Sequence, residues 1–424
     1  MKRYYGWANL AVAALAMVAT LPGRTQGLGL ITEPLIADLH VDRVTYAAVN
    51  LWATLIGALF CLPCGRLIDR LGSRLVLVTI VAGLGATVLA MSQMRDIITL
   101  SATVTLTRGF GQSALSVVSL ALVGKWFARR LSYAMGVFSL LVGIGFIAAF
   151  PGIGQAVLRF GWRAAWLGVA IALLAVVAPT AWIIVRDAPS TAATDDMNAA
   201  SAGNGEDVEE LESQPSDLTV WEALQSAAFW VFALASSLFG LVYSGIALFN
   251  QSILEQLGFS ASTYYLALTI STMLGLIANF GGGWLALRWP IQRLMGLGMA
   301  VLAAALVALP LVRTEAHVVL YAVAMGVSGG IVTVTFFSVW GQVFGRRHLG
   351  RIQGCAQTMT VLASAVGPLI LAKTFERTGS YDVMFYSLAA IVSALGIWSW
   401  WVPLPHRPAR TFGAPLPRVA TTAT

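Results

Sequence analysis

The sequence has little charge and few of the residues that build catalytic or metal sites. Only 11% of its 424 residues are charged, and it contains three cysteines and four histidines. An ordinary soluble domain carries about 25% charged residues. Three cysteines give no disulfide framework, and the histidines are scattered without ligand spacing. These shortages exclude an ordinary soluble globular protein and predict no metal centre.

The stretch Cys61-Leu62-Pro63-Cys64 superficially resembles a redox motif. It lies in an apolar run near a helix end and has no soluble thioredoxin-like context, so we interpret it as part of a membrane helix. The sequence shows no constellation of nucleophile, base or paired acids either. We therefore expect neither an enzyme nor a cofactor.

Long apolar runs are what the sequence does have. Apolar residues make up 58% of the chain, and its mean hydropathy is +0.79. A run of about 20 apolar residues is long enough to cross a bilayer as a helix. Twelve such spans are predicted, near residues 7–38, 44–64, 75–93, 97–123, 131–157, 163–185, 226–252, 262–286, 291–312, 317–343, 352–373 and 382–402.

The spans divide into two sets of six. Residues 1–185 form the predicted N-terminal half, and residues 223–402 form the C-terminal half. Between them, residues 186–222 are acidic and rich in Ala, Ser and Gly, so we expect a disordered cytoplasmic linker. Residues 403–424 are the predicted cytoplasmic tail.

Positive charge is concentrated in alternate connections between the spans. The net charge is +7, but the lysines and arginines punctuate apolar runs and form no basic patch, which argues against a nucleic-acid partner. They lie mainly on the side of the two termini. By the positive-inside rule this predicts a multi-pass protein of the plasma (inner) membrane with both termini in the cytoplasm.

A charged, glycine-punctuated turn separates the second and third spans. It reads Gly65-Arg66-Leu67-Ile68-Asp69-Arg70-Leu71-Gly72-Ser73-Arg74. Glycines let two helices and their turn approach closely, and Asp69 is the one acid among the arginines. The bland alternative is that the arginines merely follow the positive-inside rule. The full spacing favours a conformational latch, whose predicted members are Gly65, Asp69, Arg70, Gly72 and Arg74.

This turn resembles the signature loop between the second and third helices of the major facilitator superfamily of secondary transporters. The second half repeats part of it as Gly283-Trp284-Leu285-Ala286-Leu287-Arg288, without the acid. The resemblance covers nearly the whole chain. It implies an all-α integral membrane protein of twelve transmembrane helices in two pseudo-symmetric six-helix halves, with the substrate site near the midplane between them.

Within the superfamily, several stretches are similar to the branch of monocarboxylate porters and oxalate/formate antiporters. The eighth span lacks the buried Asp-Arg pair that proton-coupled monocarboxylate porters keep. The similar stretches are Pro22-Gly23-Arg24-Thr25, Arg108-Gly109-Phe110-Gly111-Gln112, Lys125-Trp126-Phe127, Gly161-Trp162-Arg163 and Gly345-Arg346-Arg347-His348-Leu349-Gly350-Arg351.

Two arginines fall deep inside spans. In a continuous helix Arg24 would lie about 22 Å below the outer end of the first span, and Arg108 about 16 Å below that of the fourth. Burying such a charge costs at least about 2.5 kcal/mol, so it is a functional hypothesis by default. No acid stands beside either arginine in the sequence. A planar guanidinium suits a carboxylate or nitrate, so the anion is the predicted countercharge.

Other polar and aromatic residues of the spans complete the predicted site. Gln112 follows Arg108 by one helical turn, and we choose Tyr243, Asn250 and Trp340 for the opposite wall. Each of these side chains is also ordinary helix packing in many membrane proteins. Arg108 has a structural alternative as well, and carbonyls freed at Pro22-Gly23 could satisfy Arg24.

These observations predict a secondary active transporter that moves a small, monocarboxylate-like organic anion by alternating access. A proton or a counter-anion remains open as the coupled species, and we expect a monomer among membrane lipids. Alternatives are a nitrate or nitrite transporter and a facilitator of a neutral or drug-like solute. A non-transporting receptor or scaffold is disfavoured because the chain has no sizeable soluble domain.

Overall fold

The computed structural model describes residues 2–127, 131–187, 218–286, 288–345 and 349–405. All regular elements within these ranges are helices. The fold is therefore all-α, as predicted.

The helices of the first half run from Lys2 to Ile184. Two of its spans contain wider, π-helical turns, Arg108–Leu115 and Ala172–Val177. The α-helices are α1 Lys2–Val18, α2 Thr25–Gly29, α3 Thr32–Leu39, α4 Arg43–Ala58, α5 Cys61–Leu71, α6 Ser73–Gln93, α7 Ile97–Thr107, α8 Ser116–Trp126, α9 Leu131–Ile171 and α10 Ala178–Ile184.

The second half is more regular, with one long helix for each span after a short leading helix. The α-helices are α11 Val220–Gln225, α12 Ala227–Gln256, α13 Ala261–Ala286, α14 Ile291–Ala308, α15 Glu315–Phe344, α16 Leu349–Thr378 and α17 Asp382–Trp401.

Eleven helical segments of the described chain are long and apolar enough to cross a membrane. One of them, Ala134–Ile184, has 51 residues, about twice what a span needs. It turns at Gly161, whose φ of 81° is left-handed backbone that favours glycine. Counting its two arms gives the twelve spans predicted, and the protein is a multi-pass integral membrane protein.

The first span is broken at Pro22-Gly23. A 3₁₀ turn at Leu21–Gly23 separates α1 from α2, and Arg24 is extended with ψ of 152°. The chain is so tight here that a Cβ on Gly27 would lie 1.8 Å from the Leu21 carbonyl oxygen. Because proline cannot donate a hydrogen bond inside a helix, the span bends at this point. The depth expected of Arg24 from a continuous helix therefore does not apply.

Within the described residues the two halves meet along four pairs of helices: α2 with α12, α3 with α12, α4 with α16, and α9 with α13. We call the end of the bundle that carries the α3–α4 turn the Asp42 end. There the Tyr265 hydroxyl donates to the Leu30 carbonyl oxygen at 3.1 Å. A Cβ on Gly29 would lie 2.2 Å from the Ala247 carbonyl oxygen. The halves are therefore in close contact toward the Asp42 end.

The connections at the Asp42 end are very short. None exceeds four residues when the 3₁₀ turn Leu309–Leu311 is counted with the ninth span, and Gly161 alone turns the fifth span into the sixth. Side-chain caps begin two of the helices that leave these turns: Asp42 accepts from the Thr45 N–H, and Asp96 accepts from the Ile98 and Thr99 N–H groups. Such caps satisfy the first N–H groups of a helix.

Most of the linker predicted at residues 186–222 lies outside the described residues, which stop at 187 and resume at 218. Helix α11 begins inside the predicted linker, with a capping box formed by Thr219 and Glu222. The Leu218 N–H donates to the Phe344 carbonyl oxygen at 3.0 Å, so this end of the linker rests on the tenth span. Residues 406–424 of the predicted tail also lie outside the described part.

Candidate functional site

Arg108 lies buried where the first, second and fourth spans cross. Its side chain is held by three neutral acceptors: Nη1 donates to Thr25 Oγ1 at 2.9 Å and to Gln112 Oε1 at 2.7 Å, and Nη2 donates to Asn50 Oδ1 at 2.9 Å. The residue is only 2% exposed. Arg108 therefore connects three spans through one side chain.

Close approach of the backbones makes this crossing possible. A Cβ on Gly23 would lie 2.2 Å from the Thr107 carbonyl oxygen, and one on Gly57 would lie 2.8 Å from Arg108 Cβ. Both positions need glycine because any side chain would force the spans apart. Arg108 also opens the π-helical segment, a feature frequent at functional sites.

Arg24 lies at the break of the first span and is half-buried. Its Nε donates to Thr20 Oγ1 at 2.6 Å, Nη2 lies 3.1 Å from Met17 Sδ, and the guanidinium sits 5.3 Å from the centre of the Phe146 ring. Sulfur is a weak acceptor and a ring face is a weak counterpart for a cation. Arg24 thus keeps donors available for a ligand.

Neither arginine forms an ion pair within the described part of the chain. The two described ion pairs of the first span are at its other end, Glu33 with Arg43 and Asp38 with Arg163. Two guanidiniums without carboxylates leave a positive potential in this region. That potential favours an anion.

Tyr243 lies level with the arginine region. Gly29 meets Ala247 where α2 packs on α12, and five spans lie between the first and the seventh span in the sequence, so the two helices run in the same direction. Counting four residues back from each places Thr25 level with Tyr243. The Tyr243 ring stacks on Phe239 at 5.4 Å between centres and is partly exposed. The structure thus brings Tyr243 close to the site.

Asn250 lies further toward the Asp42 end. It is buried, and the Tyr321 hydroxyl approaches its Oδ1 at 3.5 Å. This contact ties α12 to α15 inside the second half. Asn250 is therefore not brought together with the arginines.

Trp340, chosen for the opposite wall, is not brought together with the arginines. It is fully buried and packs against Phe229, Phe336 and Phe344, with ring centres 5.6 to 5.9 Å away. Its aromatic neighbours all belong to the second half and exclude it from a space between the halves. The physical reason is that an indole buries a large apolar surface, which here completes a core.

Four site residues were missed by sequence reasoning: Thr20, Thr25, Asn50 and Phe146. Asn50 carried a usable signal, because an amide inside an apolar span needs a partner. Thr20 and Thr25 flank the Pro-Gly break, but hydroxyls also bond to their own helix and so carry little signal. Nothing in the sequence around Phe146 singles it out.

The latch is described only in part, because the surroundings of Gly65 and the side chain of Asp69 lie outside the described part of the structure. Arg70 is exposed. The Arg74 N–H donates to Asp187 Oδ1 at 3.1 Å, and its guanidinium lies 4.2 Å from the centre of the Trp182 ring. A Cβ on Gly72, which has φ of 82°, would meet the same carboxylate. The partners Asp187 and Trp182 were not part of the prediction.

Comparisons of the sequence identify the family. The sequence model of the Major Facilitator Superfamily matches residues 12–368 and 232–420. Monocarboxylate transporter 13 of Rattus norvegicus is 25% identical over 411 residues, which is 95% of this chain and 89% of that protein. The hexuronate transporter of Escherichia coli (strain K12) is 23% identical over 323 residues, 71% of this chain and 72% of that protein.

Solved structures agree on the fold. The crystal structure of the nucleoside transporter NupG matches with a TM-score of 0.71 at 13% identity, over 92% of this chain and 97% of that one. A bacterial homolog to the human lysosomal transporter Spinster, inward-facing and occupied, matches with a TM-score of 0.69 at 14% identity, over 93% and 96%. The chain therefore belongs to the major facilitator superfamily, as a multi-pass membrane transporter of small molecules with monocarboxylate transporters among its relatives.

Proposed function

We propose that this transporter moves a small, monocarboxylate-like organic anion by alternating access, and that Arg24 binds the negative charge. The observation that carries the proposal is the half-buried Arg24 guanidinium, which has no carboxylate partner in the described part of the chain. It lies at the foot of α2, where the first span meets α12 of the other half. A carboxylate there would supply the missing countercharge.

Arg108 has a positioning role in this proposal. Its terminal nitrogens already bond to Thr25, Asn50 and Gln112, and the residue is only 2% exposed, so a substrate would reach it less readily than Arg24. Its charge still contributes to the potential, and Thr25 is the residue after Arg24. Gln112 is exposed and Tyr243 is partly exposed, so both are proposed to line the site. Asn250 lies outside the proposed site, where it contacts Tyr321.

Both termini are proposed to be cytoplasmic, which places the Asp42 end outside the cell. The lysine and arginine distribution supports this orientation. The protein would then be closed toward the outside, with the halves in contact at Gly29 and Ala247. We further propose a monomer in the plasma (inner) membrane.

The monocarboxylate class is favoured by the relatives at up to 25% identity, whereas nitrate would use the same arginine. A neutral solute is the second alternative, because a nucleoside transporter shares the fold of this chain. The similar hexuronate transporter is named for a sugar carboxylate and therefore agrees with an organic anion. The charge on Arg24 separates these cases. A neutral cargo would need no guanidinium and would tolerate its removal.

The proposal is tested by uptake and counterflow in proteoliposomes with labelled lactate, pyruvate, oxalate, formate and nitrate. Arg24→Gln should lower the saturable flux of one carboxylate at least tenfold, about 1.4 kcal/mol or more of lost interaction. Arg159→Gln is the matched control, since it removes an exposed arginine outside the site. It should leave flux near that of the parent.

Retained carboxylate flux in Arg24→Gln would overturn the role of Arg24. If no anion moved while a neutral solute did, the organic-anion proposal itself would fail. If nitrate alone showed saturable flux and Arg24→Gln lost that flux, Arg24 would still bind the transported anion, but the substrate would be nitrate and not a carboxylate.

A further inference from the structure

Glu33 is a carboxylate buried where the two halves close. It belongs to α3, and its side chain is 14% exposed. Oε2 accepts from Arg43 Nη2 at 2.8 Å, whereas Oε1 is buried and has no hydrogen-bond partner. An unsatisfied buried carboxylate oxygen is unfavourable, so this atom is a place where a proton would be stabilising.

The surroundings of Glu33 come from both halves. The charged and titratable groups that face it are Arg43 and Tyr46 of α4, Glu255 of α12 and Tyr381 before α17, with the Ser252 hydroxyl also adjacent. Arg43 in turn lies 5.4 Å from the centre of the Phe375 ring of α16. The Glu33–Arg43 pair is thus part of the contact between the halves.

We propose that Glu33 is a proton-binding residue whose protonation favours closure of the Asp42 end. In the closed state a proton on Oε1 would give this buried oxygen a hydrogen to donate and would remove the repulsion between Glu33 and Glu255 of α12, while Oε2 would still accept from Arg43. The new O–H could donate to the adjacent Ser252 hydroxyl. Separation of α12 from α3 would instead expose Oε1 to water, which stabilises the ionised form.

The direction of coupling follows from linkage. A proton that binds the closed state more tightly shifts the population toward it by the ratio of the two affinities. Acid would therefore close the Asp42 end and alkali would open it. This inference goes beyond the proposed function, because it depends on the motion of the two halves and not on the identity of the cargo.

The test is a distance measurement between spin labels at the Asp42 end, on the full chain in lipid. Arg95→Cys reports on the first half and Arg377→Cys on the second, both at exposed positions, in a background whose three native cysteines are serine. Between about pH 5 and about pH 9, the ratio of long to short distances should rise at least tenfold in the parent, the effect of one pKa unit. Glu33→Gln should keep the short distance throughout.

Two variants control the result. Asp38→Asn removes the other paired carboxylate of α3, which contacts Arg163 of the same half, and should keep the pH response. Glu33→Asp keeps a titratable group and should restore it at least in part. A parent that shows no response, a response retained in Glu33→Gln, or one lost in Asp38→Asn would overturn the proposal. No substrate is needed, so failure of the anion proposal is a separate outcome.

Discussion

Arg108 and Arg24 are two intramembrane arginines with opposite surroundings. Arg108 is buried, and its terminal nitrogens make short hydrogen bonds to Thr25 and Asn50 of two neighbouring spans and to Gln112 of its own span. Arg24 is half-buried at a helix break, held by one hydroxyl, one sulfur and one ring face. Hydrogen bonds to several spans let Arg108 fix helices in place, although its buried Nε has no partner. The terminal nitrogens of Arg24 make no hydrogen bond to oxygen in the described structure and are available for a ligand.

The difference lies in the backbone around each arginine. Arg108 is part of a continuous fourth span, and Gly23 and Gly57 let two other spans close around it. Arg24 follows a 3₁₀ turn and has an extended conformation, so it points away from regular helix packing. An assignment based only on predicted depth in the membrane would have given the two arginines the same role.

The largest effect is expected from Gly23→Ala. The new Cβ would meet the backbone at Thr107 and Gln112, so the first span would be pushed off the fourth and Thr25 pulled away from Arg108. Overpacking of this kind costs about 1–3 kcal/mol or more, and we expect the upper end with loss of transport. Thermal unfolding in detergent measures it. Gly152→Ala, which meets nothing within 4 Å, should stay close to the parent.

Exchange of arginine for lysine should separate the two sites. Arg108→Lys should lose about 2 kcal/mol of stability, because one ammonium cannot reach Thr25, Gln112 and Asn50 together. Arg24→Lys should change stability by less than about 1 kcal/mol and keep part of the flux, since it keeps the charge. Unfolding midpoints and uptake are measured on both variants. Equal stability losses would erase the distinction between the two arginines.

The smallest effect is expected from acid acting on a helix cap far from both arginines. Backbone hydrogen bonds from Thr99 and then Ile98 hold the pKa of the Asp96 carboxyl below its usual value. Its stabilisation is present above the unfolded-state pKa and is lost as pH falls through the lower folded-state pKa. Asp96→Ala should slightly lower the Tm at neutral pH. That difference should vanish in strong acid, as Tm measured across pH would reveal.

The fold could be predicted well from the sequence, because the thickness of the bilayer fixes how long an apolar run must be to cross it. Twelve spans, the break at Pro22-Gly23 and the burial of Arg108 all follow from local residue type. The position of Trp340 in an aromatic cluster could not be predicted, because an aromatic residue in a span has the same sequence signal whether it faces a cavity or a core. Asn50 was missed because its role depends on Arg108, which lies 58 positions later in the chain. The local sequence around a residue does not identify its partner on another span.

The very short turns at the Asp42 end have a consequence for association. A stable protein–protein interface usually needs about 800 Å² from each partner. Apart from the 3₁₀ turn Leu309–Leu311, the connections have at most four residues, and one of them is a single glycine, so they offer a folded partner little protruding surface on that face. Antibodies, toxins or accessory subunits that recognise this transporter would have to engage the helices within the membrane or the opposite face.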